Sequence, residues 1–230
     1  MKRKTSQSVA AFVLVAASVL WSSSFSQTTE NYSASDLADW DLLGIGDVTV
    51  LESEDAIRLT EGADSAGVIL LSPRAFPRDI TLRFDVRPER HEGVKVVFLS
   101  VSPRQGDEMD VPADYNGSFG FWNGPDAQSY NYVIGFHTAF HQPNAFISRN
   151  PDAQMLAHAA DTANSEEWHT VEISRDGERL ELIIDGVTVI TAIDTGTGLP
   201  GGSVGLRLRG PGDGTFSSLF KNFSVEFAGD

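Results

Sequence analysis

The chain has 230 residues, with 17 basic against 32 acidic side chains and a formal net charge of −15. Such an excess of acids disfavours nucleic acid as a partner, because phosphate backbones are bound by basic surfaces. The chain contains no cysteine, which excludes a disulfide framework and the cysteine-linked anchor of a bacterial lipoprotein.

Residues 1–26 have the pattern of a secretory signal peptide. Basic residues at positions 2–4 precede an apolar stretch at 9–20, and small residues follow at 22–24 and at 26. An apolar stretch of about 12 residues is shorter than the roughly 20 that span a membrane. We therefore expect cleavage before Gln27, no membrane insertion afterwards, and a periplasmic or secreted product.

Residues 27–230 fit one domain, in which most segments alternate apolar with polar side chains. In the segment 80–87 every second residue is apolar, which is the pattern of a strand with one buried face. The segment 94–101 is almost continuously apolar and predicts a central strand that is covered on both sides.

Residues 168–189 predict a three-stranded meander. Two Asp-Gly pairs, at 176–177 and 185–186, separate its alternating runs, and Asp-Gly supplies the positive φ angles that two-residue hairpin turns require. Further strands are expected at 202–209 and 220–227, and the best candidate for a short helix is 152–160. Roughly eleven or more strands without crossover helices predict an all-β fold, an antiparallel sandwich or jelly roll.

Several motifs carry a family resemblance. Trp-His-Thr-Val-Glu-Ile from 168, Leu-Glu-Leu-Ile-Ile-Asp-Gly from 180 and Phe-Lys-Asn-Phe-Ser-Val from 220 resemble the concanavalin A-like lectin and glucanase superfamily, with its laminin-G-like sandwiches. The motifs at 130–137, 144–151 and 156–161 are similar to the YesU-like family of bacterial proteins of unassigned function, often encoded among polysaccharide-degrading enzymes. The resemblance implies a concanavalin A-like fold and a role with carbohydrate, but fold alone assigns no chemistry.

Metal and cofactor signals are weak. His137 and His141 are four residues apart, a spacing that aligns two ligands only on a helix. The sequence therefore predicts no metal site and no cofactor from its own motifs. A structural calcium ion is common in the superfamily that the chain resembles, and residues 210–214 would hold it here.

The stretch 130–137 predicts a strand beside a binding groove. Alternation places Tyr130, Tyr132, Ile134 and Phe136 on the core face, and leaves Asn131 and His137 on the outer face. Gly135 between them leaves room for a ligand or a neighbouring backbone to approach closely. Long loops rich in aromatic and amide residues flank this strand, and such loops in a compact domain are usually functional.

We expect this region to bind a poly- or oligosaccharide. Aromatic rings stack on sugar rings, while amide, histidine and arginine side chains bond their hydroxyl and carboxylate groups. The candidate substrate-binding residues are Tyr115, Trp122, Asn123, Asn131, His141, Asn144, Asn150 and Arg207. Arg149 would neutralise a uronate carboxylate by a bidentate contact, so an acidic sugar is expected.

Two alternatives stay open. In one, the protein is a polysaccharide lyase or glycoside hydrolase with His137 as general base, Arg149 as its electrostatic partner, and Tyr132 or Tyr115 as acid. In the other, it is a noncatalytic structural or adhesion module. The sequence lacks the carboxylate-pair motif of retaining glycanases, and no Ser-His-Asp spacing stands out. The sequence leaves open whether the protein is an enzyme, which sugar it binds or acts on, and its oligomeric state.

Overall fold

A computed structural model describes residues 26–90, 93–124, 126–136, 144–160 and 165–229. Within these residues the chain forms fifteen strands and two short helices. In chain order they are β1 (Gln27–Tyr32), α1 (Ala34–Ala38), β2 (Asp41–Gly44), β3 (Gly46–Leu51), β4 (Ala56–Glu61), β5 (Val68–Leu71), β6 (Ile80–Pro88), β7 (Val94–Pro103), α2 (Gly120–Asn123), β8 (Ser129–Phe136), β9 (Asn144–Asn150), β10 (Gln154–Ala160), β11 (His169–Asp176), β12 (Arg179–Ile184), β13 (Val187–Ile193), β14 (Ser203–Arg209) and β15 (Ser217–Ala228). Neither helix of the described chain has the length and apolar character needed to cross a bilayer.

The strands form two antiparallel sheets packed as a sandwich. One sheet has eight strands in the order β13-β12-β11-β6-β15-β4-β3, with β1 also paired to β15. The other has seven strands in the order β10-β9-β8-β7-β14-β5-β2. The predicted all-β antiparallel sandwich is therefore confirmed.

Alternation along β8 has the orientation predicted from the sequence. Tyr132, Ile134 and Phe136 point into the main core between the sheets, whereas Val133 points to the outer face of the seven-stranded sheet. The core reaches the eight-stranded sheet through Phe84, whose ring lies 6.4 Å from that of Phe136. Since successive side chains of a strand point oppositely, one buried face determines the register of the whole strand.

The predicted meander is also confirmed, because β11, β12 and β13 pair consecutively. Asp185 and Gly186 have φ angles of 51° and 76°, as a tight turn requires. The short helix expected at 152–160 is wrong. Asp152 and Ala153 form a turn with positive φ angles, and β10 then pairs with β9, so pairing at the sheet edge overrides the helix propensity of this alanine-rich stretch.

The described residues of 104–128, here called the covering segment, join β7 to β8, and several of their apolar side chains lie against the outer face of the seven-stranded sheet. Strand residues of this face, including Ile69, Val96 and Phe98, form a second apolar cluster with Trp122. The aromatic residues Tyr115, Phe119 and Phe121 of the covering segment pack against that cluster. This explains why β7 reads as apolar on both faces: one meets the main core and the other the covering segment.

Candidate functional site

Two predicted binding amides lie beneath the covering segment, in a buried network. Asn150 donates a hydrogen bond through Nδ2 to Oδ1 of Asn131, at 2.8 Å. Asn131 in turn donates to Ser129 Oγ at 2.9 Å and to the backbone carbonyl of Trp122 at 3.2 Å. Both amide side chains are fully buried, so they fasten the covering segment to β8 and β9 and do not face solvent.

Trp122 is buried to the same extent, with 0% of its surface exposed. Its ring lies 4.8 Å from that of Phe98, and its Nε1 donates to Tyr115 Oη at 2.7 Å. The Tyr115 hydroxyl donates to the Ser118 carbonyl at 2.9 Å, and burial raises its pKa to about 12. In this arrangement neither ring face of Trp122 is open to a sugar, which argues against the predicted stacking contact.

Arg207 is the third buried element under the covering segment, only 4% exposed. Its Nη2 donates to the backbone carbonyls of Ala66 at 2.8 Å and Gly117 at 3.3 Å, and its guanidinium lies 4.9 Å from the centre of the Phe119 ring. Burial lowers its pKa to about 10. Arg207 therefore joins two loops and does not offer its charge to an external carboxylate.

Arg149 pairs with Tyr132 across β8 and β9, on the core side of the sheet. Its Nη1 lies 3.4 Å from Oδ1 of the buried Asp194, and its Nη2 donates to the Thr197 carbonyl at 2.6 Å. Tyr132 Oη donates to the other Asp194 oxygen at 2.6 Å, and burial is the largest cause of its raised pKa, followed by that bond. Arg149 and Tyr132, two of the groups proposed for lyase chemistry, are thus engaged by Asp194.

The remaining predicted residues are less informative. Asn123 ends α2, and its backbone carbonyl accepts from the Asp152 amide at 3.2 Å. Asn144 is the first residue of β9, and its side chain is outside the described part. His137 and His141 lie outside the described residues, so the proposed pairing of His137 with Arg149 stays a prediction.

Residues 103–111, here called the rim loop, contribute to the lining of two cavities. The first, which we call the groove, has a volume of about 360 Å³ and lies beside the edge strand β2. Its apolar wall includes Leu43, Leu71 and Met109. Exposed carboxylates come from Asp41 of β2 and from Asp107 and Glu108 of the rim loop. The described residues that line it are Asp41, Leu42, Leu43, Leu71, Val101, Pro103, Asp107, Glu108, Met109, Val111 and Ser203.

The second cavity, which we call the pocket, has a volume of about 280 Å³ and is mostly polar. It is lined by Arg104, Gln105, Asp126, Ala127 and Gln128. The Arg104 guanidinium donates to the Ala127 carbonyl at 3.0 Å and lies 5.9 Å from the centre of the Tyr130 ring. Tyr130 is 37% exposed. The pocket therefore brings together two amides, a guanidinium and a carboxylate, and its Arg104 also lies over the exposed Tyr130 ring.

Sequence reasoning did not select Tyr130 or Arg104. Alternation assigns Tyr130 to the core face, and it does share the parity of Tyr132. The register between β7 and β8 shifts between Leu99 and Ser102, however, and Tyr130 pairs with Ser102 beyond that irregularity, at the end of the sandwich. A bulge re-aims side chains in this way, and no local sequence pattern marks it here.

A hydrogen-bonded Ser-His-Asp chain lies at the start of β11, although no such spacing stood out in the sequence. His169 Nε2 is 2.9 Å from Ser165 Oγ, and His169 Nδ1 is 2.7 Å from Asp185 Oδ2. Asp185 also accepts from the Thr170 amide at 2.9 Å through Oδ1. This hydrogen-bonded group joins β11 to the Asp-Gly turn of the meander. Because Asp185 belongs to that turn and lies 16 residues after His169, the predicted hairpin was the sequence signal that brings His169 and Asp185 together.

The described residues contain no group of three or more histidine, aspartate or glutamate side chains placed to hold a metal ion. In the loop where calcium is expected, Asp213 accepts hydrogen bonds from Thr215 Oγ1 at 2.7 Å and from Arg90 at 3.0 Å. These bonds occupy both of its carboxylate oxygens. Calcium binding at 210–214 stays a prediction.

Comparison with known proteins identifies one family and a common fold. The sequence model of a family described as a domain of unknown function, DUF1961, matches residues 25–224. No curated protein matches the chain.

Three solved structures illustrate the fold. A Bacillus subtilis protein of unknown function with a galectin-like fold has a TM-score of 0.71 at 17% identity, over 83% of this chain and 90% of that one. The carbohydrate-binding module CBM66 from Bacillus subtilis has 0.55 at 15%, over 84% and 98%. The lectin UEA-II, complexed with galactose, has 0.58 at 12%, over 86% and 98%. At such identities the likeness shows the fold alone, and it confirms the concanavalin A-like sandwich.

Proposed function

This chain belongs to the DUF1961 family, and we propose that it is an exported protein that binds poly- or oligosaccharide at the surface formed by the groove and the pocket. The signal-peptide pattern of residues 1–26 supports export to the periplasm or beyond. Solved proteins of the same fold include a carbohydrate-binding module and a galactose-bound lectin, which supports a sugar as the ligand. The YesU-like family that the sequence resembles has no assigned activity, so the proposal goes beyond that resemblance.

The observation that carries the proposal is the pair of cavities that share one lining loop, with the exposed Tyr130 ring beside Arg104 of the pocket. Sugars present both apolar C–H faces and hydroxyl groups, so their sites combine an aromatic or aliphatic surface with hydrogen-bonding side chains. The pocket supplies Gln105 and Gln128, with the Tyr130 ring next to its Arg104, and the groove supplies aliphatic walls with carboxylates. The groove volume falls in the range of roughly 300–1,000 Å³ that is usual for ligand sites, and the pocket is close to it.

We assign the acidic sugar predicted from the sequence to the pocket. Arg149 was the expected partner of its carboxylate, but Asp194 and the Thr197 carbonyl engage that guanidinium. Arg104 is exposed, lines the pocket and lies beside the Tyr130 ring. A sugar ring stacked on Tyr130 would bring its carboxylate within reach of Arg104, whose planar guanidinium suits carboxylates.

Binding without turnover is favoured over lyase activity by the position of the lyase candidates. Tyr132 Oη is buried and bonded to Asp194, so it is not placed to protonate a departing sugar. Arg149 is engaged by the same carboxylate. Lyase chemistry would then depend on His137, and it stays a prediction that product formation tests directly.

The test is a screen of the purified protein against neutral and uronate-containing polysaccharides, by affinity electrophoresis and calorimetry. For a glycan that the screen shows to bind, Tyr130→Ala should weaken binding at least tenfold, about 1.4 kcal/mol, because the stacking surface is lost. Trp168→Ala, a partly exposed aromatic just before β11 of the other sheet, is the matched control. Absence of any glycan bound more tightly than about 1 mM would overturn the proposal. A rise in absorbance at roughly 235 nm, where the alkene produced by β-elimination absorbs, would instead establish a lyase.

A further inference from the structure

We propose that the groove is a second sugar subsite, that it takes a neutral sugar unit, and that the ligand is a heteropolysaccharide with neutral units near its acidic ones. This inference rests on the proposed function, since it assigns a substrate class to the same surface. It concerns different side chains from those of the pocket, so the two subsites can be tested separately.

The charges that line the groove select against an acidic sugar. Asp41, Asp107 and Glu108 are exposed, and the described residues that line the groove include no lysine, arginine or histidine. A uronate in the groove would meet three like charges at short range without a compensating cation, and that repulsion is unfavourable. A neutral sugar carries hydroxyl donors and no charge, so the same carboxylates would hold it.

The three carboxylates have acceptor capacity to spare. Within the described residues, no side-chain hydrogen bond or ion pair engages Asp41, Asp107 or Glu108. This contrasts with Glu30, Glu61 and Glu89, each of which is bonded to an arginine. A hydrogen bond from a hydroxyl to a carboxylate is charge-assisted and stronger than one between neutral groups. Three such acceptors around one cavity suit a ligand that donates several hydroxyl hydrogens.

The apolar part of the groove complements the other face of a sugar ring. Leu43 and Leu71 come from the paired strands β2 and β5, and Met109 comes from the rim loop. Leu42 adds an exposed aliphatic side chain on the edge strand. Aliphatic surface beside hydroxyl acceptors matches the two-sided character of a neutral pyranose, and a purely ionic ligand would leave that surface unused.

One glycan chain would reach both subsites. Pro103 lines the groove and Arg104, the next residue, lines the pocket; Gln105 lines the pocket and Asp107, two residues later, lines the groove. Consecutive Cα atoms are about 3.8 Å apart, so residues only a few ångströms apart along one loop contribute to both linings. Neighbouring units of one polymer would then occupy the two differently lined cavities.

The experiment measures affinity for three probes: oligo-uronates, neutral gluco-oligosaccharides of the same lengths, and oligosaccharides in which uronate and neutral units alternate. We expect the alternating probe to bind most tightly. The double variant Asp107→Ala/Glu108→Ala should weaken its binding about tenfold and change oligo-uronate binding less than about twofold. Asp110→Ala/Asp114→Ala removes two charges from the same segment outside the groove lining, and should leave all three affinities unchanged.

The outcomes separate the two proposals. If the wild-type protein binds none of the three probes or any screened polysaccharide, the proposed function fails. If it binds oligo-uronates as tightly as the alternating probe, or if the groove variant and its control behave alike, sugar binding stands and the neutral subsite is refuted. Circular dichroism and urea unfolding of both double variants would show that the fold is retained, since all four positions are exposed.

Discussion

Replacing Trp122 with alanine would test whether this side chain supports the site or contacts sugar. The indole is fully buried, packs on Phe98 at 4.8 Å and Phe121 at 5.2 Å, and donates its N–H to Tyr115. Truncating a buried tryptophan to alanine costs about 3–5 kcal/mol through lost packing and the cavity left behind. Since domains are stable by only about 5–15 kcal/mol, the variant should be much less stable.

Urea unfolding followed by far-ultraviolet circular dichroism measures this loss. We expect Trp122→Ala to lower the unfolding free energy by about 3–5 kcal/mol, whereas the exposed Tyr130→Ala should change it by less than about 1 kcal/mol. Glycan affinity should show the reverse contrast when both proteins are measured under conditions where they are folded. A Trp122→Ala protein of unchanged stability that no longer binds sugar would refute the structural role and restore the stacking role predicted from the sequence.

Three further variants probe the surroundings of the site. Tyr132→Phe should cost about 1–3 kcal/mol in urea unfolding, because the buried Asp194 loses a donor; an unchanged midpoint would contradict that bond. Gly117→Ala should lower the melting temperature far more than Gly106→Ala. Both glycines have a positive φ, but only at Gly117 would an added Cβ lie 1.6 Å from a backbone oxygen, that of Gly67. Equal shifts in melting temperature would exclude the clash. Burial raises the pKa of Tyr115 to about 12, so the stability that this raised pKa contributes is complete below about pH 10, the pKa of an unfolded tyrosine, and is lost as pH rises from about 10 to 12. Tyr115→Phe should lack that loss between about pH 10 and 12.

The fold was accessible from the sequence because one buried face repeats along nearly every strand. Alternation at 80–87 and the two Asp-Gly turns identify β6 and the meander, and the structure agrees at both places. The error at 152–160 has a local cause. Alanine, leucine and methionine favour helix, and the pairing of this stretch with β9 is a long-range contact that intrinsic propensity does not include.

The candidate site was less accessible, because parity gives the face of a side chain but not what covers that face. Asn131 does point away from the main core, as predicted, yet the covering segment lies over it and its amide bonds Trp122 and Ser129. The segment has no periodic pattern of its own. Its position depends on contacts between residues far apart in the chain, such as Arg207 Nη2 with the Gly117 carbonyl.

The same contacts connect the buried residues to function. The predicted binding residues Trp122, Asn131 and Asn150 hold the covering segment, and that segment contributes the lining of both cavities. These buried residues therefore act by positioning the segment, whereas Tyr130 and Arg104 would contact the sugar. Removing one partner of a buried hydrogen bond is costly, so we expect that variants at Asn131 and Asn150 lose stability first and that any loss of sugar affinity follows from it.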